Sequence, residues 1–435
     1  MMAIALLNLA WWSRADRWLT AAGAPASRRW LLRAGLACYM ILMLLPILWI
    51  VLSEAEWRQL PMDAAMWLQL WHMAMVLLVP ISAALALSGW LLGRLRGICL
   101  GPPCRPDGVT RADDTRKNAD GNAVDERCLR SRRAFLRGTL IAAPVALAGS
   151  GTWIGRRQMN VVDVRRHVVS PPGLPDRLQG LTITHLSDFH VGRLFRVDHL
   201  RRVVDRANAL DSDIVVITGD AVDFTNDVLP GTVDALLGLR HRHGLFLCIG
   251  NHDMLDDGAA YASYVRGRGL ALLLNERRDV EIGGERLRLG GLMWSRRDRG
   301  TDRSPGHDAH VAATFDAAAA PHGDPFTLAL AHHPHAFDAA AARGIPLTLS
   351  GHTHGGQLML TPPGGPDYGA GCMLFRYVRG FYAGDGSLGG GRPYKPAEAG
   401  RTGLPLLFVN AGAGNWFPVR INAPAEIVQL RLDVA

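Results

Sequence analysis

Five short islands in the C-terminal two-thirds of this 435-residue chain carry side chains that bind metals. They are Asp188-Phe189-His190, Gly219-Asp220, Gly250-Asn251-His252-Asp253, His332-His333-Pro334 and Gly351-His352-Thr353-His354. Side chains alternate along an extended backbone, so Asp188 and His190, two residues apart, point the same way and can grip one ion together. His352 and His354 repeat that spacing, with Thr353 turned aside between them. Asp220 follows a glycine that lets the backbone turn sharply, and a carboxylate there can place one oxygen on each of two metals. Asn251 offers a neutral carbonyl oxygen and His332 a further imidazole. This mixed N/O set without thiolate suits Mn, Fe, Zn, Ni or Co rather than Ca or a cysteine-bound structural zinc. Two divalent metal ions about 3.5–4 Å apart supply an activated water and neutralise the charge of an in-line displacement, for which phosphorus esters are the natural substrate. His252, beside Asn251, is then a candidate general acid for the leaving oxygen, and Asp253 could orient its imidazole.

Elements must bring these islands together. Short apolar runs at 181–187, 214–218, 245–249, 326–331 and 347–350 read as buried strands, and the islands fall at their C-terminal ends. Residues 197–210 and 230–240 have helical spacing between such runs. Alternating strand and helix predict an α/β layered architecture with its functional loops at strand C-termini. Residues 295–310 and 361–402, rich in Gly, Pro, Arg and Asp, read as long surface loops.

The ordered motifs Asp-x-His, Gly-Asp-x-x-Asp, Gly-Asn-His-Asp, His-x-Pro and Gly-His-Thr-His resemble those of the calcineurin-like metallophosphoesterases, over residues 161–432. The extended Gly-His-Thr-His-Gly-Gly-Gln at 351–357, the stretch 178–183 and residues 415–420 look like the bacterial membrane-associated branch. The resemblance implies a layered β-sandwich flanked by helices. It implies that Asp188, His190, Asp220 and His354 bind one metal and that Asp220, Asn251, His332 and His352 bind the second, with Asp220 shared. It also implies that His252 is the catalytic histidine. Choosing His332 over His333 rests on the His-x-Pro spacing, and Asp223, the trailing acid of Gly-Asp-x-x-Asp, is expected behind the ligands. Members of this branch are usually phosphodiesterases or pyrophosphatases. Arg193, shortly after the first island, and Arg420, in the last loop, could bind substrate phosphate through a bidentate fork. His185 falls mid-strand and is expected to be packed or hydrogen-bonded rather than a ligand, whereas His335 could reach the site from its turn.

The rest of the chain concerns where this chemistry is kept. The net charge is +8 and mean hydropathy is +0.08, but much of the arginine excess flanks apolar spans. No RNA-binding signature or aromatic-plus-basic platform appears, so no nucleic-acid partner is expected. Six scattered cysteines without a CxxC pair argue against a disulfide framework and a cysteine zinc site. Residues 31–52 and 67–92 are long apolar runs, each long enough to cross a bilayer. The flanks 1–33 and 94–137 carry +4 and +5, against −2 in the intervening loop 53–66. Positive flanks stay in the cytoplasm, so residues 1–96 read as a transmembrane hairpin with its acidic loop outside. Residues 97–137 read as a basic disordered linker. It ends in Ser131-Arg132-Arg133-Ala134-Phe135-Leu136-Arg137, which resembles a twin-arginine export signal. The weakly apolar segment 138–155 follows as a third anchor, and 156–435 as one globular domain.

The expectation is a multi-pass enzyme of the bacterial inner membrane whose catalytic domain faces the outer side. It would meet membrane lipids and hydrolyse a phosphodiester or pyrophosphate bond, in a substrate that could be lipid- or nucleotide-linked. One alternative is a cytoplasmic-face enzyme like the UDP-2,3-diacylglucosamine pyrophosphatases of lipid A synthesis. Another is a membrane scaffold or sensor whose metal site is structural.

Overall fold

In β5 (Ile214–Thr218), Ile214 and Val216 face one apolar layer and Val215 and Ile217 face another, because successive side chains leave a strand on opposite sides. The same division holds in β6 (Gly244–Cys248), where Phe246 and Cys248 face one way and Leu245 and Leu247 the other. Strands buried on both faces demand a layer on each side, and the computed structural model supplies them. It describes residues 143, 145–159, 161–294, 305–316, 325–360, 368–369, 371–372, 375–387, 392–394, 403–415 and 419–434, with short pieces at 11–13, 15–17, 20, 26–27, 30, 33–34, 115–117 and 123–125.

The chain forms two units, Met1–Trp153 and Ile154–Ala435. In the second, a six-stranded sheet has the order β3 (Val162–Val169), β17 (Ala425–Leu432), β4 (Thr182–Leu186), β5, β6 and β7 (Ala271–Leu272). A seven-stranded sheet has the order β15 (Arg392–Tyr394), β14 (Gly380–Ala383), β16 (Leu406–Val409), β11 (Leu347–Ser350), β10 (Phe326–Leu330), β9 (Glu285–Gly291) and β8 (Glu276–Ile282). Both sheets are mixed. β4 to β7 run parallel and so do β9, β10, β11 and β16, while β17 lies antiparallel to β4, and β8 and β14 are antiparallel to their neighbours.

Ile183, Ile214, Val216 and Phe246 of the first sheet meet Leu328, Leu330, Leu347, Leu349 and Phe408 of the second in a shared core. Helix Val197–Asn208 covers the outer face of the first sheet with Leu200, Val203, Val204 and Ala207, an i, i+3, i+4, i+7 stripe. Helices Leu229–Leu236 and Gly258–Gly267 complete that layer. Helices Pro305–Phe315 and Ala336–Ala342 cover the second sheet through Val311, Ala336 and Ala340. The result is an α/β sandwich of two mixed sheets between helical layers.

Two expected loops carry regular structure. Helix Pro305–Phe315 begins inside 295–310, and β14 and β15 lie inside 361–402. Strands of three and four residues are too short for their alternation to stand out in a glycine- and proline-rich sequence. In the first unit, β1 (Thr115–Lys117) pairs antiparallel with β2 (Ala123–Asp125), within the stretch expected to be a disordered linker. Apart from residues 33 and 34, the expected spans 31–52 and 67–92 lie outside the described residues, as does the arginine-pair motif at 131–137. Among the described residues no helix is long and apolar enough to cross a membrane. Of the expected third segment 138–155, residues 145–155 are described and helical.

Candidate metal centre

The parallel strands β4, β5 and β6 of one sheet and β10 and β11 of the other release their chains toward a common site. Asp188 and His190 follow β4, Asp220 follows β5, Asn251 and His252 follow β6, His332 follows β10, and His352 and His354 follow β11. Asp188, His190, Asp220, His352 and His354 all have left-handed backbone, with φ of 54°, 48°, 54°, 73° and 51°. Each costs about 1 kcal/mol or more for a non-glycine residue, and such strain gathers at functional sites. Glycines allow the close approach. Gly219 has φ 86°, and a Cβ on Gly250 would lie 2.1 Å from Asp220 Oδ1.

The donor atoms form two sets that meet at one oxygen. His190 Nε2 lies 2.9 Å from His354 Nε2, and Asp188 Oδ1 is 3.3 Å from His354 Nε2 and 3.8 Å from His190 Nε2. Across the site His332 Nε2 is 3.0 Å from Asn251 Oδ1 and 3.2 Å from His352 Nδ1. Asp220 Oδ2 stands between the sets, 3.4 Å from His190 Nε2 and 3.1 Å from His332 Nε2. Asp188–His190–His354, His190–Asp220–His252 and Asp220–His332–His352 are each close enough to hold an ion. The donor chemistry fits divalent ions, because nitrogen and oxygen lone pairs crowded this closely repel one another unless a cation or protons lie among them.

The surrounding hydrogen bonds set these atoms. His332 Nδ1 donates to the Thr218 carbonyl at 2.7 Å, which turns Nε2 toward the site. His190 Nδ1 faces Asp223 Oδ1 at 3.4 Å. The His352 amide donates to both oxygens of Asp188 at 3.0 Å. His252 donates its backbone N–H to Asp220 Oδ1 at 2.8 Å, and its Nδ1 sits 2.9 Å from the Asp223 carbonyl and 3.1 Å from Asp223 Oδ1.

Charges follow the same layout. Burial alone would raise the pKa of Asp188, but His354 and His190 outweigh it and hold the carboxyl well below the usual range. Burial also opposes ionisation of Asp220, and His332, His252 and His190 overcome it. Against the burial that would neutralise them, His190 rises to about 10 beside Asp220 and Asp188, and His332 to about 9 beside Asp220. Burial and the charge of His332 bring His352 down to about 3. In the metal-free fold, protons thus occupy nitrogens where ions would bind.

Two expected roles change. Asp253 does not serve as the carboxylate of His252; it accepts the backbone N–H groups of Asp220, Ala221, Val222 and Gly250 at 2.8–3.1 Å, and so shapes the Asp220 loop. Asp223 takes the place beside the imidazole, reaching both His252 and His190. Arg420 is not a substrate fork. It is fully buried, with its nitrogens donating to Asn415 Oδ1 at 2.6 Å, Gly414 O at 2.7 Å, Ala423 O at 2.8 Å and Ala411 O at 2.9 Å. Its guanidinium clasps the last loop against His354, whose Nδ1 lies 3.3 Å away. Arg193 is half-buried in the turn after His190 and forms no side-chain hydrogen bond or ion pair among the described residues. His333 packs against His352 with tilted rings and centroids 4.4 Å apart, and His335 packs against His333 in turn at 4.7 Å. Phe224, 5.2 Å from His252, and Phe375, 5.4 Å from His352, went unrecognised in the sequence, because a lone phenylalanine carries no chemical signature.

Residues 181–356 match the family model described as Calcineurin-like phosphoesterase, and all five islands fall inside that stretch. A Bacillus subtilis protein named Uncharacterized metallophosphoesterase YkuE is 27% identical over 289 residues, covering 64% of this chain and 94% of its own length. A Danio rerio protein named Transmembrane protein with metallophosphoesterase domain is 33% identical over 283 residues, 63% of this chain and 57% of its own. The UDP-2,3-diacylglucosamine pyrophosphatase LpxG of Chlamydia trachomatis is 32% identical over 128 residues, 29% of this chain and 36% of its own. The chain spans about three-fifths of the length of several relatives it matches. This family works with two divalent metals, and the His/Asp groups above are candidates to hold them. Family model, relatives and site geometry agree in likening residues 181–356 to a calcineurin-like phosphoesterase domain.

Proposed function

We propose that this chain is a membrane-anchored, metal-dependent hydrolase that cleaves a phosphodiester or pyrophosphate bond. The observation that carries the reading is Asp220 Oδ2, which stands within 3.4 Å of one imidazole set and 3.1 Å of the other. Asp188, His190, Asp220 and His354 are the residues for one ion, and Asp220, Asn251, His332 and His352 those for the second. When bound, the two ions supply an activated water and neutralise the non-bridging oxygens of phosphorus. His252, its Nδ1 held beside Asp223, delivers a proton to the leaving oxygen as the bond to phosphorus breaks. Arg193, three residues after His190, is the arginine we assign to a phosphate oxygen.

The apolar runs at 31–52 and 67–92 and their basic flanks support the anchor, as do the exposed Val145, Leu147 and Trp153 on the helical segment. That charge pattern keeps 94–137 in the cytoplasm, so a crossing by 138–155 carries the domain to the outer face of the inner membrane. The extended Gly-His-Thr-His-Gly-Gly-Gln motif and the paired arginines belong with that reading. A second reading, cleavage of a nucleotide-linked lipid at the cytoplasmic face, draws on the likeness to the Chlamydia pyrophosphatase.

The test is hydrolysis of bis(p-nitrophenyl) phosphate by the full chain, stripped of metal and resupplied with Mn. Mn-dependent turnover that drops in His252→Ala is expected. Absence of turnover with Mn, Zn, Fe, Ni and Co, in a folded and metal-loaded protein, would overturn the diesterase reading. The side is read with a membrane-impermeant maleimide on a variant keeping only the exposed Cys372 among the six cysteines. Labelling of intact spheroplasts places the domain outside; labelling only after lysis places it in the cytoplasm.

A further inference from the structure

His185 lies in β4 with its side chain between the two sheets, its ring 5.8 Å from that of Phe408 and wholly buried. An apolar side chain would fill this space without burying a polar ring. Its Nδ1 has no hydrogen-bond partner among the described residues, and its Nε2 meets Thr218 Oγ1 at 2.9 Å. Burial lowers its pKa to about 3, so the ring is neutral.

Thr218 ends the neighbouring strand β5, and its hydroxyl donates to Ser187 Oγ at 2.8 Å. Ser187 in turn donates to Asp188 Oδ2. The Ser187 hydroxyl has the Thr218 carbonyl as a longer second acceptor at 3.2 Å, and Asp188 Oδ2 is the nearer one. With the Thr218 hydroxyl hydrogen committed to Ser187, Thr218 Oγ1 is left as the acceptor of a proton on His185 Nε2. The chain of donors therefore runs one way, from His185 through Thr218 and Ser187 to Asp188 Oδ2. It fixes that oxygen and leaves Asp188 Oδ1 to face His354 and His190. All four residues are fully buried, so no water competes, and each bond polarises the next. Thr218 also serves the opposite half of the site, since its carbonyl accepts from His332 Nδ1 at 2.7 Å.

We propose that His185 is a positioning residue for the Asp188 carboxylate, acting through Thr218 and Ser187 to hold Asp188 in the single-oxygen orientation that binds an ion. This rests on the dinuclear reading above. Removing the donor leaves Thr218 free to rotate and Asp188 Oδ2 less firmly held, and loss of such outer partners weakens metal binding by about 10–100-fold. Only the ion held by Asp188, His190 and His354 should respond.

The experiment is stepwise calorimetric titration of the metal-stripped full chain with Mn2+ alone, with melting of each metal-free variant recorded beside it. In His185→Leu one binding step is expected to weaken by about 10–100-fold while the other stays at the wild-type value. His185→Gln, whose amide can return an N–H to Thr218, should recover the lost affinity; a merely space-filling role predicts no such recovery. If His185→Leu fails to fold, Thr218→Val removes the middle hydroxyl at nearly constant shape and should weaken the same step. Unchanged affinity in the folded Leu or Val variant, or a Gln variant as weak as Leu, overturns the relay. Wild-type protein that binds no pair of ions overturns the dinuclear reading instead.

Discussion

Asp220 uses its two oxygens for different tasks. Oδ2 stands between the two donor sets, and Oδ1 accepts the amide of His252, so one carboxylate touches both imidazole sets and holds the His252 backbone. Asp220→Asn keeps the shape and removes the charge. Its Mn affinity should fall by at least about 100-fold, beyond the usual loss for an outer partner, as read by calorimetry. For His252→Ala the leaving group decides the size of the effect. Nitrophenolate departs with little help, whereas an alkoxide needs a proton, so the loss should approach the about 10²–10⁴-fold range only for an alkyl diester. Equal losses on both substrates would remove His252 from the acid role. The clustering of these carboxylates and imidazoles was legible in the sequence because such residues at strand ends have little other reason to gather, and the structure brings them within reach of one another. The partners behind them were not. After a strand ends, side-chain direction depends on the turn, and the turn gave His252 to Asp223 and turned Asp253 onto four amides. Arg420 was misread for a related reason: only the folded last loop presents the carbonyls that absorb its guanidinium.

At the scale of elements, the site depends on loops passing almost in contact. Gly250 follows β6 where Asp220 follows β5, and a methyl group at Gly250 would meet the Asp220 carboxylate 2.1 Å away. Gly250→Ala should therefore abolish Mn-dependent turnover while far-ultraviolet circular dichroism stays native, because strands β5 and β6 end before the clash. Retained turnover would show that the Asp220 loop can move aside. Strands β4, β5, β6, β10 and β11 were legible as apolar runs because both faces of each are covered, whereas β3, β9, β16 and β17 were not read from the sequence. β8, with exposed residues along it, and the short β14 and β15 were not, since their patterns match surface loops. The helix Ala336–Ala342 was also missed; its seven residues hold five alanines, too little contrast for a periodic signal.

For the molecule as a whole, protons and metals compete for the same nitrogens. His190 and His332 have folded-state values of about 10 and about 9, above the ordinary value near 6.5. Their contribution to the metal-free fold is complete below about pH 6.5 and lost as pH climbs through those values. Asp188 and Asp220, held low, remain ionised throughout that window. Metal binding runs the other way, since the ions require deprotonated imidazoles. The metal-free Tm should fall between about pH 7 and 10 while the increment added by Mn grows. Scanning fluorimetry at stepped pH, with and without Mn, reads both trends; a metal-free Tm that climbs over this range contradicts the assignment.

The place of β17 also governs how the protein comes into being. It lies between β3 and β4, pairing Ala425–Leu432 with strands more than two hundred residues earlier in the chain. On the ribosome, β4 emerges long before that neighbour exists, with its own edge bare and Asp188 just beyond it. Closing a sheet over so long a separation is slow. Until synthesis passes residue 432, the nascent domain is an unclosed sheet with an edge open to chaperones or to mispairing. A premature stop before Ala425 would thus cost far more than its few missing residues, because it removes the strand that joins β3 to the rest of the sheet.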